Sequence, residues 1–216
     1  MKGCLMKDKI VNEWLDELGS RNGKYGGGSA AGVVGAIASR LAQYVYELQQ
    51  GKKKYEKYSK ELEAGIVRSK KLSNELLNLA EVDADIFNPV MELFKLPQDT
   101  EEERDFRRRQ LDQGFAEAAQ PPLVIMKKMD DVMDLFEELL VLKVRGSILD
   151  DVAVGLLLTE ATIKGQKVNC KTNIRAIHDE DTKASLTQEV EEVYARMLER
   201  CKKLQKTTES VTESIE

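Results

Sequence analysis

Apolar residues recur at intervals of three and four along most of the chain, the period of a helix that buries one face. Between Met6 and Leu18 they fall at Ile10, Val11, Trp14, Leu15 and Leu18. A polar loop, Gly19–Gly28, follows, and a second helix is expected over Ser29–Gln50 with Val34, Ile37/Ala38, Leu41, Val45 and Leu48 on one side. Its first half is crowded with small residues: Ala30, Ala31, Gly32, Gly35, Ala36, Ala38 and Ser39. Glycine costs about 1 kcal/mol against alanine inside a helix, so the two glycines predict that another backbone packs very close. A long helical pattern runs from Tyr55 to about Asp83 and on to Phe94, with Pro89 kinking or restarting it.

Leu96–Thr100 breaks the pattern, and Thr100 with Glu103 has capping-box spacing for a charged helix over Glu101–Ala119. Pro121 and Pro122 punctuate again. Pro122 suits a first helical turn, ahead of Leu123, Met126, Met129, Met133, Phe136, Leu140 and Val144. Gly146 closes that helix, and Ser147 with Asp150 reads as a second capping box for an apolar helix ending near Lys164. A helix near Val168–Ile177 and a charged one over Lys183–Lys206 complete the pattern. No stretch alternates with period two, and no repeat or long polar linker divides the chain. The expectation is an all-α, single-domain bundle of long helices over residues 1–206, with a frayed tail over 207–216.

Composition narrows the chemistry. The chain has 216 residues, 42% of them hydrophobic, with a formal charge of −5. A nucleic-acid binder usually shows a basic excess, so that class is set aside. The longest charge-free stretch, Tyr25–Ser39, is too short for a membrane span. Cys4, Cys170 and Cys201 are far apart and odd in number, forming neither a disulfide framework nor a metal-binding pair. With one histidine, His178, a zinc site and a serine or cysteine triad are disfavoured. A cytoplasmic protein with reduced thiols is expected.

Five features could carry chemistry. Gly26-Gly27-Gly28-Ser29 opens a helix, where free N–H groups and the helix dipole favour an anion or a ligand carbonyl; a plain helix start capped by Ser29 is the alternative. Gly51-Lys52-Lys53-Lys54-Tyr55 is either a polyanion-binding turn or a solvated one. Leu72, Leu76, Leu79, Asp83, Phe87, Val90 and Phe94 follow at helical spacing, which puts Asp83 within an apolar stripe if the helix is continuous. Burial would raise the pKa of Asp83 toward the range useful for acid and base catalysis near neutral pH. Alternatively, Asp83 or Asp85 caps a new helix. Asp151 sits in the first turn of a helix, where the dipole alone would stabilise it. Asn169 and Asn173, one turn apart, suit the edge of a heterocycle or an exposed polar face.

Together these pieces resemble the cyclodeaminase/cyclohydrolase family of folate enzymes, the C-terminal module of formiminotransferase-cyclodeaminase that also occurs as a stand-alone bacterial protein. The resemblance rests on Gly26–Ala31, Gly51–Tyr55, Asp83–Phe87, Leu96-Pro97, Pro121-Pro122, Asp151–Val154, and Asn169–Ile174 with Asp179, in order over about residues 8 to 182. Tyr25, Ile86 and Asp150 depart from the family pattern. The resemblance implies a helical homodimer that acts on a tetrahydrofolate derivative as substrate, with no permanently bound cofactor and no metal. Two reactions are implied as alternatives: ammonia release from the 5-formimino compound to form 5,10-methenyl-tetrahydrofolate, or hydrolysis of that methenyl bridge. It further implies Asp83 and Asp151 as catalytic groups. Gly26, Gly27, Gly28, Ser29, Lys52, Lys53, Lys54, Asn169 and Asn173 would bind substrate, the lysines meeting its glutamate tail. A non-catalytic helical dimer that binds folate or a partner is the competing reading.

Overall fold

The structure, a computed structural model, describes residues 11–213. Cys4, the expected start of the first helix at Met6–Ile10 and the end of the tail at 214–216 lie outside the described residues. The helices are α1 (Val11–Gly19), α2 (Gly27–Gln49), α3 (Ser59–Leu93), α4 (Glu101–Ala118), α5 (Gln120–Val141), α6 (Ile148–Arg175) and α7 (Glu180–Glu213), with a 3₁₀ turn at Lys53–Tyr58. No strand occurs among the described residues, so the all-α expectation holds.

Sequence signals explain most of the boundaries. Thr100 Oγ1 accepts from the Glu103 N–H at 3.2 Å while Glu103 Oε2 accepts from the Thr100 N–H at 3.0 Å, the reciprocal capping expected. Pro121 and Pro122 occupy the first turn of α5, where a missing N–H is harmless. Gly146, at φ +77°, adopts the left-handed conformation before α6.

Four expectations are corrected. Ser147 makes no side-chain cap and has helical dihedrals itself, so the second capping box does not form. The two helices expected over 147–177 are one, α6, because Gly165 is a packing position rather than a break: a Cβ there would lie 3.1 Å from that of Ala31. Helix α7 continues through the tail expected to fray, to Glu213, with Thr208 buried. Helix α3 also does not restart at Pro89, which lies near its C-terminal end.

The core is built on α5, whose Leu123, Ile125, Met126, Met129, Val132, Met133, Phe136 and Leu139 are fully or nearly fully buried. Helices α2, α3, α6 and α7 surround it. The small residues of α2 face inward. Gly32 meets Ala80 of α3, and Gly35 meets Met129 of α5 and Thr162 of α6. The Ser39 hydroxyl donates to the Ser69 carbonyl of α3 at 2.9 Å. This face, whose two glycines predict close approach of another backbone, receives α3, α5 and α6 of the same chain. Outward, α2 presents Ile37 and Tyr44, 51% and 48% exposed.

Close approach has a testable cost at Gly155, where a Cβ would lie 2.1 Å from Cζ of the buried Phe136. Gly155→Ala gains helix propensity worth about 1 kcal/mol but overpacks the core, which costs about 1–3 kcal/mol. We expect a lower urea midpoint with an unchanged m-value; an equal or higher midpoint would show that the Phe136 ring can move aside.

Candidate active site

The N-terminus of α2 meets the middle of α3 and the C-terminal half of α6, and a pocket of about 380 Å³ opens there. That volume suits a small organic ligand. Its polar lining comes from Lys24, Asp83, Asn169, Thr172 and Asn173, its main-chain lining from Gly26–Gly28, and its apolar wall from Ile86, Phe87 and Met91. Gly26, not Ser29, is the N-cap residue. Ser29 turns inward from the first turn of α2, fully buried.

Asp83 sits at the centre of this arrangement. Because α3 is continuous, the stripe reading is correct and the capping reading fails. Toward α3's C-terminus, however, the stripe opens: Phe87 and Phe94 are partly exposed and Phe87 becomes pocket wall. Gly28 is pressed so close that a Cβ there would lie 2.3 Å from Asp83 Oδ2. Burial raises the Asp83 carboxyl above the ordinary aspartate range, opposed by hydrogen bonds from the Ser29 hydroxyl and N–H. The hydroxyl carries one proton. It lies 2.9 Å from the Ala80 carbonyl and 3.3 Å from Asp83 Oδ2. When Asp83 itself is protonated, it donates to Ser29 Oγ and both contacts are satisfied together.

The preceding loop is fastened by charge. Lys24 pairs with Glu81 and, at 2.7 Å, with Asp85. Burial works against this ammonium, but its hydrogen bonds to Asp85 and Glu81 prevail and hold its pKa up at about 12. The Tyr25 hydroxyl donates to Glu81 Oε2 at 3.1 Å, and its ring lies 5.9 Å from that of Trp14. The departure at Tyr25 is therefore a tether for the glycine loop. Cys170, below the pocket, is no nucleophile at neutral pH: burial and the nearby Asp83 push its thiol up to about 12.

Both asparagines are present, and one N–H of each amide is already used. Asn169 Nδ2 donates to the Gly165 carbonyl at 2.9 Å, and Asn173 Nδ2 to the Ala118 carbonyl at 2.7 Å. Each still has its Oδ1 acceptor and a second N–H to offer a ligand. Asp151 and the lysines are elsewhere. Asp151 precedes Asn169 by about 27 Å along α6 at 1.5 Å per residue, so a single site holding Asp83 and Asp151 within one chain is corrected. Lys52–Lys54 follow the far end of α2, which over its 23 residues rises about 34 Å. There Lys52 Nζ donates to Gln49 Oε1 at 3.2 Å, and Lys54 lies over the Tyr55 ring.

Sequence reasoning missed Lys24 and Gln166. Gln166 is fully buried and donates through Nε2 to the Gly28 carbonyl at 2.9 Å. Its spacing of three and seven residues from Asn169 and Asn173 was the available signal.

Comparison with known proteins identifies the family. The formiminotransferase-cyclodeaminase family model matches residues 10–192. The chain is 28% identical over 172 residues to a methenyltetrahydrofolate cyclohydrolase of Methylorubrum extorquens, covering 80% of this chain and 82% of that protein. It is 28% identical over 196 residues to the formimidoyltransferase-cyclodeaminase of Gallus gallus, covering 90% of this chain but only 35% of that protein's length. Among solved structures, a formiminotetrahydrofolate cyclodeaminase of Thermotoga maritima superposes with a TM-score of 0.81 at 26% identity, covering 95% of this chain and 98% of that one.

The raised carboxyl makes a prediction about stability. An acid whose pKa is higher folded than unfolded favours folding fully below its unfolded pKa, near 3.9, and that contribution is lost as pH rises through the folded value. Asp83→Asn escapes the loss. Its stability relative to wild type should rise between about pH 4 and neutrality, read from denaturant midpoints; a constant difference would mean that Asp83 is not desolvated.

Proposed function

Since the chain belongs to the formiminotransferase-cyclodeaminase family, we propose that it is a folate one-carbon enzyme acting at the N5/N10 bridge of tetrahydrofolate, either as 5-formimino-tetrahydrofolate cyclodeaminase or as 5,10-methenyl-tetrahydrofolate cyclohydrolase. The observation that carries the reading is a desolvated carboxyl, Asp83, set in a ligand-sized pocket beside free main-chain N–H groups.

Both reactions pass through a tetrahedral carbon between N5 and N10 and need only proton transfers. In the deaminase direction N10 attacks the formimino carbon. With the formimino nitrogen already protonated, Asp83 takes the N10 proton and delivers it to that departing nitrogen, so that ammonia leaves and the methenyl cation remains. In the hydrolase direction Asp83 takes a proton from water attacking the methenyl carbon and returns it to N5 as the N5–carbon bond breaks, and the remaining hydroxyl proton passes to solvent as the 10-formyl carbonyl forms. The ionised carboxyl also stabilises the amidinium-like cation. Asn169 and Asn173 offer acceptors to the pterin N–H groups, Phe87 and Met91 cover its flat face, and the Gly26–Ser29 main chain holds ligand oxygens.

The assembly is proposed to be a homodimer through the outer face of α2 and α6 rather than through the small-residue face. These helices run antiparallel, with Gly28 beside Gln166 and Ala31 beside Thr162. Their outer side joins Ile37 and Tyr44 to Val154, Leu157 and Val168, all at least 47% exposed. A glutamate tail could meet Lys52–Lys54 only across the length of α2 or from a second copy, which makes that assignment the least direct of the set.

Purified protein should either speed loss of the methenyl chromophore or form it from the 5-formimino compound; a folded sample that binds folate and does neither would support the non-catalytic reading. Asp83→Asn should lower kcat by about 10²–10⁴-fold with little change in KM, and retained kcat would remove Asp83 from the mechanism. Neutralising Lys52, Lys53 and Lys54 should raise KM for polyglutamylated substrate more than for the monoglutamate, an effect that added salt should mimic. Equal effects on both substrates would make the lysines a solvated turn.

A further inference from the structure

Beneath the pocket, α6 delivers one amide whose two ends are treated differently. Gln166 is fully buried. Its Nε2 donates to the Gly28 carbonyl at 2.9 Å, while its Oε1 is buried without a partner. A buried acceptor left unsatisfied costs about 1–3 kcal/mol, so an apolar side chain of similar size would serve packing better. What the position gains from glutamine is its donor.

That donor reaches a particular peptide. The Gly28 carbonyl belongs to the same amide as the Ser29 N–H, and the Ser29 N–H stabilises the charged form of Asp83. A carbonyl that accepts a hydrogen bond polarises its amide and makes the N–H a stronger donor. The bond also fixes the peptide plane where Gly28 is pressed against the Asp83 carboxyl. We propose that Gln166 is a positioning residue for Asp83, acting through the Gly28–Ser29 peptide to set how readily that carboxyl gives up its proton.

The inference rests on Asp83 being the proton carrier only for its effect on turnover; the coupling between the two residues stands apart from that reading. The other titratable groups around Asp83 are Lys24 and Tyr25 of the loop, Glu81 and Asp85 of α3 and Cys170 of α6. All are retained when Gln166 is changed. Without the Gln166 donor, the Ser29 N–H becomes a weaker donor, the carboxylate loses stabilisation, and Asp83 titrates at higher pH.

The test follows the Asp83 carboxyl directly in the full-length chain by carbon-13 NMR, its resonance assigned by its absence in Asp83→Asn. In Gln166→Leu the Asp83 midpoint should move to higher pH, and the melting temperature at low pH should stay level or rise because the orphaned acceptor is gone. Gln166→Met, unbranched and of similar length, provides the same test should the leucine variant not fold. An unmoved midpoint in a folded variant overturns the proposal, and a fall in melting temperature alongside it would mean that Gln166 is only structural. The pH–rate profile separates the two readings. A carboxyl midpoint and a rate limb that shift upward together support both. A shifted carboxyl with an unshifted limb upholds the coupling and removes Asp83 from catalysis.

Discussion

The fold turns on how closely other helices can approach α2. Gly32, Gly35 and Ser39 leave its inner surface almost bare, and α3, α5 and α6 all pack against it. Each glycine forgoes about 1 kcal/mol of helix propensity, a loss offset by dispersion contacts that only a bare backbone allows. The same closeness fixes the site, because the start of α2 cannot move away from α3 without opening the packing at Gly32. Pocket and core are therefore two ends of one close-packed helix.

Around the pocket, charge is arranged so that Asp83 acquires no cation of its own. The nearby ammonium of Lys24 is taken up by Glu81 and Asp85 on the same helix as Asp83. The hydrogen bonds found for the Asp83 carboxyl come from Ser29. Burial then outweighs hydrogen bonding and the carboxyl holds its proton more tightly than an exposed aspartate would. A paired Asp83 would have stayed ionised and been a poor proton carrier.

Much of this could be read along the chain because helix signals are local. The Thr100–Glu103 cap, the Pro121-Pro122 start and the stripe through Asp83 each depend on residues within a few turns. Several of the failures share a cause, since they depended on what lies across from a residue. Gly165 resembles a break until Ala31 of α2 is set against it. The small face of α2 calls for a close neighbour but does not say that α3, α5 and α6 of the same chain supply it. Asp151 and the lysines belong to the same set of motifs as Asp83, but a motif order carries no distance, and long straight helices put them at opposite ends. Gln166 escaped because its spacing from Asn169 and Asn173 marks a shared face but not the Gly28 carbonyl of α2 that lies across from it.

The tether of the glycine loop has an optical consequence. The chain contains one tryptophan, Trp14, and its ring leans on Tyr25, the residue that leads into the glycines and is fastened to Glu81. Indole emission responds to its immediate surroundings, and here those surroundings are the outer side of the pocket's own rim. The molecule thus carries a built-in fluorophore on the segment that leads into the pocket, so a ligand seated there would be followed in unmodified protein, without a label and without turnover.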